Sequence, residues 1–326
     1  MRRSTAAFRP LEVAHMKSTK PSRGMILLLM AHVAIGAAQA QKPASTATAP
    51  PKLLLLVHQQ FKFGSENARQ KLEASVVHAC NRLDVPNSWI DLQSITGPTE
   101  ALSFDPFDSF EQVDNASVVW AQLFASHPQL AHLQEQIREL ESSESTIIAV
   151  RRDDLGYRVN RIDLSKARFM RVLEVRVRPG HESEFVESFK LLSAAYEKID
   201  ADMPWVVYQA NVGMPSPAFL VFVPMRALKE NDGYLARAPK LREAEGDVGF
   251  DRMQQIARDA YASTESNLYA ISPETSHVSK EFVDSDPDFW SPKPSADAKP
   301  RATGETGEAS LRKDGEANQK QSLPNF

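Results

Sequence analysis

The chain has 326 residues, 25% of them charged, and a formal net charge of −4. Residues 1–40 hold six basic residues and one acidic residue, so the remainder has 32 basic and 41 acidic residues and a net charge of −9. This acidic balance argues against nucleic acid as a partner and against an anionic membrane surface. Cys80 is the only cysteine, which excludes an internal disulfide and a metal cage built from thiolates.

The N-terminus has the layout of a secretory signal. Met25–Ala40 is an apolar segment that follows a basic stretch and ends in two alanines separated by one residue. We expect residues 1–40 to be a signal region that is cleaved after Ala40. The alternative is a membrane anchor, but 16 residues interrupted by His32 are fewer than the roughly 20 that cross a bilayer. The sequence therefore predicts a periplasmic or secreted protein with no stable membrane anchor after processing.

The next part of the chain follows the order strand, helix, strand, strand, helix, strand. The predicted elements are strand Leu53–Phe61, a helix from Glu66 to Leu83, strands Trp89–Ile95 and Glu100–Asp105, a helical region Ala116–Leu140, and strand Thr146–Arg152. The helical region should break at His127, because a residue that precedes proline resists helical geometry.

The same order of elements returns further along the chain. These elements are strand Phe169–Arg178, helix His181–Ile199, strands Trp205–Asn211 and Ala218–Val223, helices within Tyr234–Ser263, and strand Asn267–Ser272. The two parts also match in sequence, since the segment that begins near Leu53 reappears 116 residues later near Phe169. At that offset seven residues repeat: Gly64, Glu66, Ala79, Asp84, Trp89, Gln93 and Gly97.

This repetition predicts an α+β protein built from two tandem ferredoxin-like units. The first unit is 52–155, a linker covers 156–167, and the second unit is 168–284. A ferredoxin-like sheet carries helices on one face only, so the two sheets should face each other as a pseudo-dimeric α/β barrel.

The last segment, 285–326, is rich in proline, glycine, serine and charged residues and is nearly free of apolar residues after Trp290. It cannot bury enough surface to offset the entropy of ordering, so we expect a disordered tail. Phe289 and Trp290 are the residues of this segment that could dock on the folded body.

The second unit carries a resemblance to a known superfamily. The run VLEVRVRPGHESEFVESF, then Trp205, Gly213 and the run FLVFVPM resemble the dimeric α/β-barrel superfamily, in particular its NIPSNAP-like and antibiotic-biosynthesis-monooxygenase-like members. The resemblance covers about residues 52–275 and implies that two ferredoxin-like units pair into one barrel. The superfamily includes monooxygenases, isomerases, haem enzymes and proteins with no known activity, so the resemblance transfers no catalytic residue to this chain.

Motifs of several large enzyme classes are missing from the sequence. There is no glycine-rich phosphate loop, no GxGxxG after a strand, no GxSxG elbow and no HExxH. His127 and His132 are five residues apart on a broken helix, so they do not share a face and predict no metal site. We interpret His277 as a solvated loop histidine, with a haem ligand as the alternative.

The candidate site rests on the alternation of side chains along strands. Leu173, Val175 and Val177 should face the helices, so Glu174 and Arg176 between them should face the interior of the barrel. The same reasoning places the remaining candidate residues on the interior face: His58, Gln60, Trp89, Asp91, Gln93, Trp205 and Gln209. Buried polar groups need partners, and either each other or a ligand can supply them.

Three functions are compatible with this pattern. The first is a secreted or periplasmic binding or structural module that uses the polar residues for its own stability or for a small apolar or anionic ligand. The second is a cofactor-poor enzyme of the monooxygenase or isomerase kind, with His58 as general base and Arg176 as the group that stabilises an anion. The third is haem binding. A closed apolar cavity reaching His58 would favour the enzyme, whereas a barrel filled by the two tryptophans would favour the module. The sequence leaves the cofactor and the oligomeric state open.

Overall fold

A computed structural model describes residues 48–291. The first half consists of β1 Leu53–Phe61, α1 Glu66–Arg82, β2 Trp89–Ser94, β3 Glu100–Phe107, α2 Phe110–Ser126, α3 Pro128–Leu140 and β4 Glu141–Arg151. The second half consists of β5 Phe169–Val177, α4 Glu182–Lys198, β6 Val206–Val212, β7 Ala218–Met225, α5 Glu230–Ala260 and β8 Tyr261–His277. Two short helices follow, α6 Lys280–Ser285 and α7 Pro287–Trp290. The signal region lies outside the described residues, and within 48–291 no helix is long and apolar enough to cross a membrane.

Local sequence explains most helix boundaries. The side chain of Ser109 caps α2 by accepting a hydrogen bond from the backbone N–H of Gln112, so this helix begins six residues before the predicted Ala116. The predicted break at Pro128 is present, and α3 begins there. Gly246 interrupts α5 with a φ of 68°, a conformation that glycine adopts at little cost.

The eight strands form one closed antiparallel barrel in the order β1-β3-β2-β8-β5-β7-β6-β4. Two seams join the halves edge to edge. At the first seam Leu92 pairs with Ile271, and at the second Ala149 pairs with Ala210. The α+β barrel implied by the sequence is therefore confirmed, and every strand pairs with a neighbour on both sides over part of its length.

Strand β8 extends well beyond its prediction of Asn267–Ser272, and β4 begins before its predicted start. At the end of β8, Thr275, Ser276 and His277 are buried. The residues added at the start of β8 and at the start of β4 are mostly polar and exposed, and they pair on one side with β5 or β1. They escaped prediction because an exposed polar strand has no alternation of apolar and polar residues.

The interior of the barrel is a packed apolar core. Every strand contributes buried side chains to it, and these include Leu56, Leu92, Phe104, Val172 and Phe222. The rings of Phe104 and Phe222, one from each half, lie 6.1 Å apart between their centroids. Since these side chains fill the space between the strands, any ligand site inside the barrel must lie near one of its ends.

One end of the barrel is closed by the linker and the last two helices. Ile162 and Leu164 of the linker and Phe282 of α6 belong to the same buried cluster as the barrel interior. Trp290 is only 6% exposed, and its indole N–H donates to the carbonyl oxygen of Ser165 at 2.9 Å. The expected tail therefore begins too early at residue 285, because burial of this aromatic ring holds α7 on the body.

Candidate functional site at the polar mouth of the barrel

At the end of the barrel opposite the linker, the inward-facing side chains change from apolar to polar. On β1, His58 and Gln60 follow the core residue Leu56 on the same face. On β5, Glu174 and Arg176 follow the core residue Val172 on the same face. We call the whole cluster the polar mouth, and its members are His58, Gln60, Glu100, Glu174, Arg176, Glu265, Asn267 and Tyr269.

The centre of the polar mouth is a carboxylate with two hydrogen-bonding partners. The Oε2 atom of Glu100 lies 2.7 Å from Nε2 of His58, and the hydroxyl of Tyr269 donates to Oε1 at 2.6 Å. The side chain of Glu100 is 3% exposed, whereas that of His58 is 32% exposed. The imidazole therefore lies between a buried carboxylate and solvent.

Burial and hydrogen bonding act in opposite directions on these groups. Burial raises the pKa of Glu100, but the hydrogen bonds from His58 and Tyr269 outweigh it and hold that pKa below its ordinary value. The hydrogen bond to Glu100 raises the pKa of His58 against the effect of burial. Burial, and then the bond to Glu100, raises the pKa of Tyr269. At neutral pH the carboxylate is thus charged, the phenol is neutral, and the imidazole can gain or lose a proton.

Glu100 and Tyr269 were missed by the sequence analysis. Their positions depend on register, since Glu100 pairs with Gln60 on β1, and Tyr269 pairs with Ser94 on β2. The alternation of polar residues on β1 could have indicated a partner on the next strand. The seam that brings Tyr269 to the same place leaves no signal in a single sequence.

The outer part of the polar mouth contains weaker contacts. Arg176 donates from Nε to Glu174 at 3.3 Å, and both side chains are more than one third exposed. Both side chains were expected to be buried inside the barrel, and that expectation is wrong because both residues lie near its open end. An ion pair this exposed contributes about 1 kcal/mol or less to stability.

The polar mouth is acidic. It contains the carboxylates of Glu100, Glu174 and Glu265 against the single guanidinium of Arg176. The net charge is −2 with a neutral His58 and −1 with an imidazolium. All three glutamates raise the pKa of His58 electrostatically, so their fields overlap at the imidazole.

Five predicted interior residues lie on the outer face instead. Along β2 and β6 the core residues are Ile90, Leu92, Val206, Tyr208 and Ala210, so their neighbours point outward to the helices. The outward residues are Trp89, Asp91, Gln93, Trp205 and Gln209. The prediction failed because both faces of these two strands are covered, so apolar residues occur on both and their pattern does not identify the inner face.

The misplaced residues have structural contacts outside the barrel. The ring of Trp205 stacks on that of Tyr157 with centroids 4.8 Å apart, and the ring centroids of Trp89 and Trp120 are 5.9 Å apart. Gln209 accepts a hydrogen bond from Arg152 at 2.8 Å. These contacts stabilise the outer layers and leave the two tryptophans outside the barrel that they were expected to fill.

Asp91 belongs to a buried ionic cluster under α1. It accepts a hydrogen bond from Thr275 at 2.5 Å, and one of its oxygens lies 3.7 Å from Arg69. The same Arg69 donates to Glu73 at 3.0 Å. Burial, followed by the nearby charge of Asp91, raises the pKa of Glu73 to about 9, so this carboxyl is protonated at neutral pH.

The surroundings of His277 do not fit a haem ligand. Its Nε2 atom lies 3.0 Å from the carbonyl oxygen of Val85, and its ring packs 5.0 Å from that of Trp89. The residue is the last of β8 and is buried, so the expected solvated loop position is wrong. Within residues 48–291 no group of three or more His, Cys, Asp or Glu side chains could hold a metal ion.

The sequence matches no known protein family profile and no curated protein. Solved structures of dimeric α+β-barrel fold resemble this one weakly. An anthrone oxidase-like protein has a TM-score of 0.45 at 12% identity, over 69% of this chain and 93% of that chain. A mutant chlorite dismutase from Candidatus Nitrospira defluvii, in complex with cyanide, has a TM-score of 0.39 at 9% identity, over 72% of this chain and 95% of that chain. A heme-binding protein from Thermus thermophilus has a TM-score of 0.38 at 11% identity, over 70% of this chain and 95% of that chain. Similarity this low transfers no functional residue.

Proposed function

We propose that the protein is a periplasmic or secreted binding module whose ligand site is the polar mouth. In this proposal the chain is a tandem pair of ferredoxin-like units of the dimeric α/β-barrel superfamily, related to its NIPSNAP-like members. The repeated order of elements supports the tandem arrangement. The two seams also support it, because at each seam the second strand of one half pairs with the fourth strand of the other half. The signal-like N-terminus supports export.

One observation carries the proposal. The buried carboxylate of Glu100 contacts the imidazole of His58, which is open to solvent. Both groups lie at the acidic end of a barrel whose interior is otherwise filled by apolar side chains. Preorganised polar groups above an apolar core are typical of ligand sites. Because the apolar interior leaves no room, the ligand should be small and should bind at the rim of the barrel.

The charge of the polar mouth determines the ligand class. With Glu174 and Glu265 beside Glu100, an anion would be repelled, and a small apolar molecule would leave the carboxylates without new partners. A small cation with several N–H donors, such as a guanidinium or an amine, would satisfy them. This ligand class replaces the small apolar or anionic ligand that the sequence favoured.

Thermal melting in the presence of small ions tests this proposal. Arginine and putrescine should raise the melting temperature of the protein in a saturable manner, whereas citrate and phosphate should not. The effect should disappear in Glu174→Gln and Glu265→Gln, because each removes a carboxylate from the mouth. Glu187→Gln is the matched control, since Glu187 pairs with Arg252 on the outer surface. Equal loss in the control, or stabilisation by the anions alone, would contradict the proposal.

A second function is favoured by the contact between His58 and Glu100. A carboxylate that fixes one nitrogen of an imidazole and raises its basicity is the arrangement of a general base. The corresponding activity would be proton abstraction from a small neutral ketone. Exchange of its α-hydrogens in D₂O, followed by proton NMR, should be accelerated by the protein and lost in His58→Asn. An equal rate in His58→Asn and in the exposed-site variant His181→Asn would exclude this role.

A further inference from the structure

The ionic cluster under α1 consists of Arg69 and Glu73 from α1, Asp91 from β2 and Thr275 from β8. The side chains of Arg69, Glu73 and Asp91 are only 6%, 14% and 5% exposed, and Thr275 is 2% exposed. Charged side chains are rarely buried to this extent, because removing a charge from water costs free energy. These charges must therefore either stabilise the fold or serve a function.

Helices α1 and α4 occupy matching places in the two halves of the chain. Both have 17 residues, and α4 begins 116 residues after α1. The indole N–H of Trp89 donates to the carbonyl oxygen of Thr275 at 2.8 Å. In the same way, the indole N–H of Trp205 donates to the carbonyl oxygen of Leu155 at 2.9 Å. The residues beneath the two helices can therefore be compared position by position.

The comparison matches each member of the ionic cluster with an apolar residue. The offset of 116 residues matches three members, and the tryptophan contact matches the fourth. In the order Arg69, Glu73, Asp91 and Thr275, the matching residues are Phe185, Phe189, Val207 and Leu155. These four are at most 5% exposed and lie in one hydrophobic cluster. The architecture is thus complete without charges at these positions, and exchanging a buried ion pair for packed apolar residues is often neutral or stabilising.

Glu73 is incompletely satisfied within the cluster. Arg69 donates to its Oε1 atom at 3.0 Å, but its Oε2 atom is buried and has no hydrogen-bond partner among the described residues. Asp91, by contrast, accepts a hydrogen bond from Thr275 and lies 3.7 Å from the same Arg69. One guanidinium thus serves two carboxyl groups. Ionisation of both would leave an unbalanced negative charge in a buried place, which is strongly destabilising.

The groups that face Glu73 favour its neutral form. Burial is the main reason why the pKa of Glu73 lies at about 9, and Asp91 on β2 and Glu141 on β4 raise it further. Arg69 on α1 acts in the opposite direction. Burial also raises the pKa of Glu141, against the effect of Arg138 on α3. Glu73 therefore retains its proton at neutral pH and releases it to solvent at alkaline pH.

The first half of α1 has little attachment to the barrel besides this cluster. Between residues 66 and 75 only Arg69 is buried, and the apolar Leu72 is partly buried. The second half of α1 is held by the buried side chains of Val76, Val77, Ala79 and Cys80. In α4 the first half carries the buried rings of Phe185 and Phe189, and Phe185 stacks on Phe219 with centroids 3.9 Å apart. Polar contacts thus fasten the start of α1, whereas apolar contacts fasten the start of α4.

We infer that the ionic cluster is a proton-operated latch, which holds the first half of α1 on the barrel while Glu73 is protonated and releases it when Glu73 loses its proton. Release exposes the carboxylates to water and removes the cost of a second buried charge. In the released segment the pKa of Glu73 returns to its ordinary value of 4.5, so each pH unit between 4.5 and about 9 favours release about tenfold. The matching contacts of α4 are apolar and do not titrate, so that helix stays bound.

Spin labels on the two matching helices test this inference in the full protein. Asn67→Cys on α1 and Ser183→Cys on α4 place a nitroxide at exposed positions that are 116 residues apart. Cys80 is 0% exposed, so it should remain unlabelled when the reaction is carried out at pH 6. The mobility of each label is then followed by electron paramagnetic resonance from pH 5 to pH 10.

The label at position 67 should become mobile with a midpoint at or below about pH 9, and the label at position 183 should stay restricted. Glu73→Gln should keep the label at position 67 restricted throughout, because glutamine has no proton to lose in this range. Glu66→Gln is the matched control, since Glu66 is an exposed carboxylate in the first turn of the same helix. It should leave the transition in place.

Four results would overturn the inference. They are a label at position 67 whose mobility is constant from pH 5 to pH 10, an equal change at both labels, a mobile label at position 67 in Glu73→Gln, and loss of the transition in Glu66→Gln.

Discussion

His58 and Glu100 lie on adjacent antiparallel strands with Nε2 of the imidazole 2.7 Å from Oε2 of the carboxylate. Tyr269 reaches the other oxygen of the same carboxylate from the opposite half of the chain. The three side chains therefore link both halves at the open end of the barrel. Because Glu100 is almost fully buried, solvent screens its charge little, and the charge acts strongly on the two groups that touch it.

The pKa of His58 should depend on Glu100. The hydrogen bond raises this pKa above its ordinary value of 6.5, so Glu100→Gln should lower it. The stabilisation from a raised histidine pKa is present in full below the unfolded value and is lost as the pH rises through the folded value. Titration of the imidazole by NMR measures the shift, and melting curves between pH 5 and 9 measure the stability. The exposed rim residue Glu144 supplies the control variant Glu144→Gln, and an equal shift in that variant would contradict the assignment.

Glu73→Gln should stabilise the protein at neutral and alkaline pH. The unfolded chain releases the Glu73 proton near pH 4.5 and the folded chain retains it to about 9, so folding is increasingly disfavoured as the pH rises between these values. Glutamine resembles the protonated carboxyl and removes this pH-dependent cost of folding, which is about 3 kcal/mol at pH 7. The gain should be larger at pH 8.5 than at pH 5.5 in chemical denaturation. A gain that is constant with pH would show that Glu73 titrates normally.

The sequence could predict features that depend on residues close together along the chain, namely the strands and the alternation of side chains within them. All eight strands were identified, and alternation correctly related His58 on β1 and Glu174 on β5 to the interior side of their strands. The faces of β2 were exchanged, because Trp89 and Leu92 are both apolar and only the packing of α1 and α3 determines which lies outside. The contact of Glu100 with His58 depends on the register between β3 and β1, and alternation within one strand does not predict that register.

Trp290→Ala should destabilise the barrel by about 3 kcal/mol, the usual cost of removing a buried tryptophan. The indole fills the closed end of the barrel against Phe282, with ring centroids 5.0 Å apart, and donates to the carbonyl oxygen of Ser165, so its removal leaves a cavity and takes one hydrogen bond from that oxygen. Urea denaturation gives the change in unfolding free energy. Leu235→Ala on α5 is the control, because this leucine is 69% exposed and should change stability little. Similar losses in the two variants would mean that α7 does not close the barrel.

Residues 168–284 should not fold as a soluble monomer on their own. The inner face of this half carries Val172, Tyr208 and Phe222, which are at most 7% exposed in the whole protein because the first half covers them. The isolated half would expose this face and would also lose both seams, leaving the edges of β6 and β8 unpaired.

Expression of this fragment should therefore give aggregates or a self-associated species, detected by light scattering. Coexpression with residues 48–167 should restore solubility, because the first half supplies the missing face and both missing strand partners. A fragment that is monomeric and melts sharply by itself would show that its inner face needs no cover, which would contradict the shared core. Failure of the coexpressed fragments to associate, with each half separately soluble, would lead to the same conclusion.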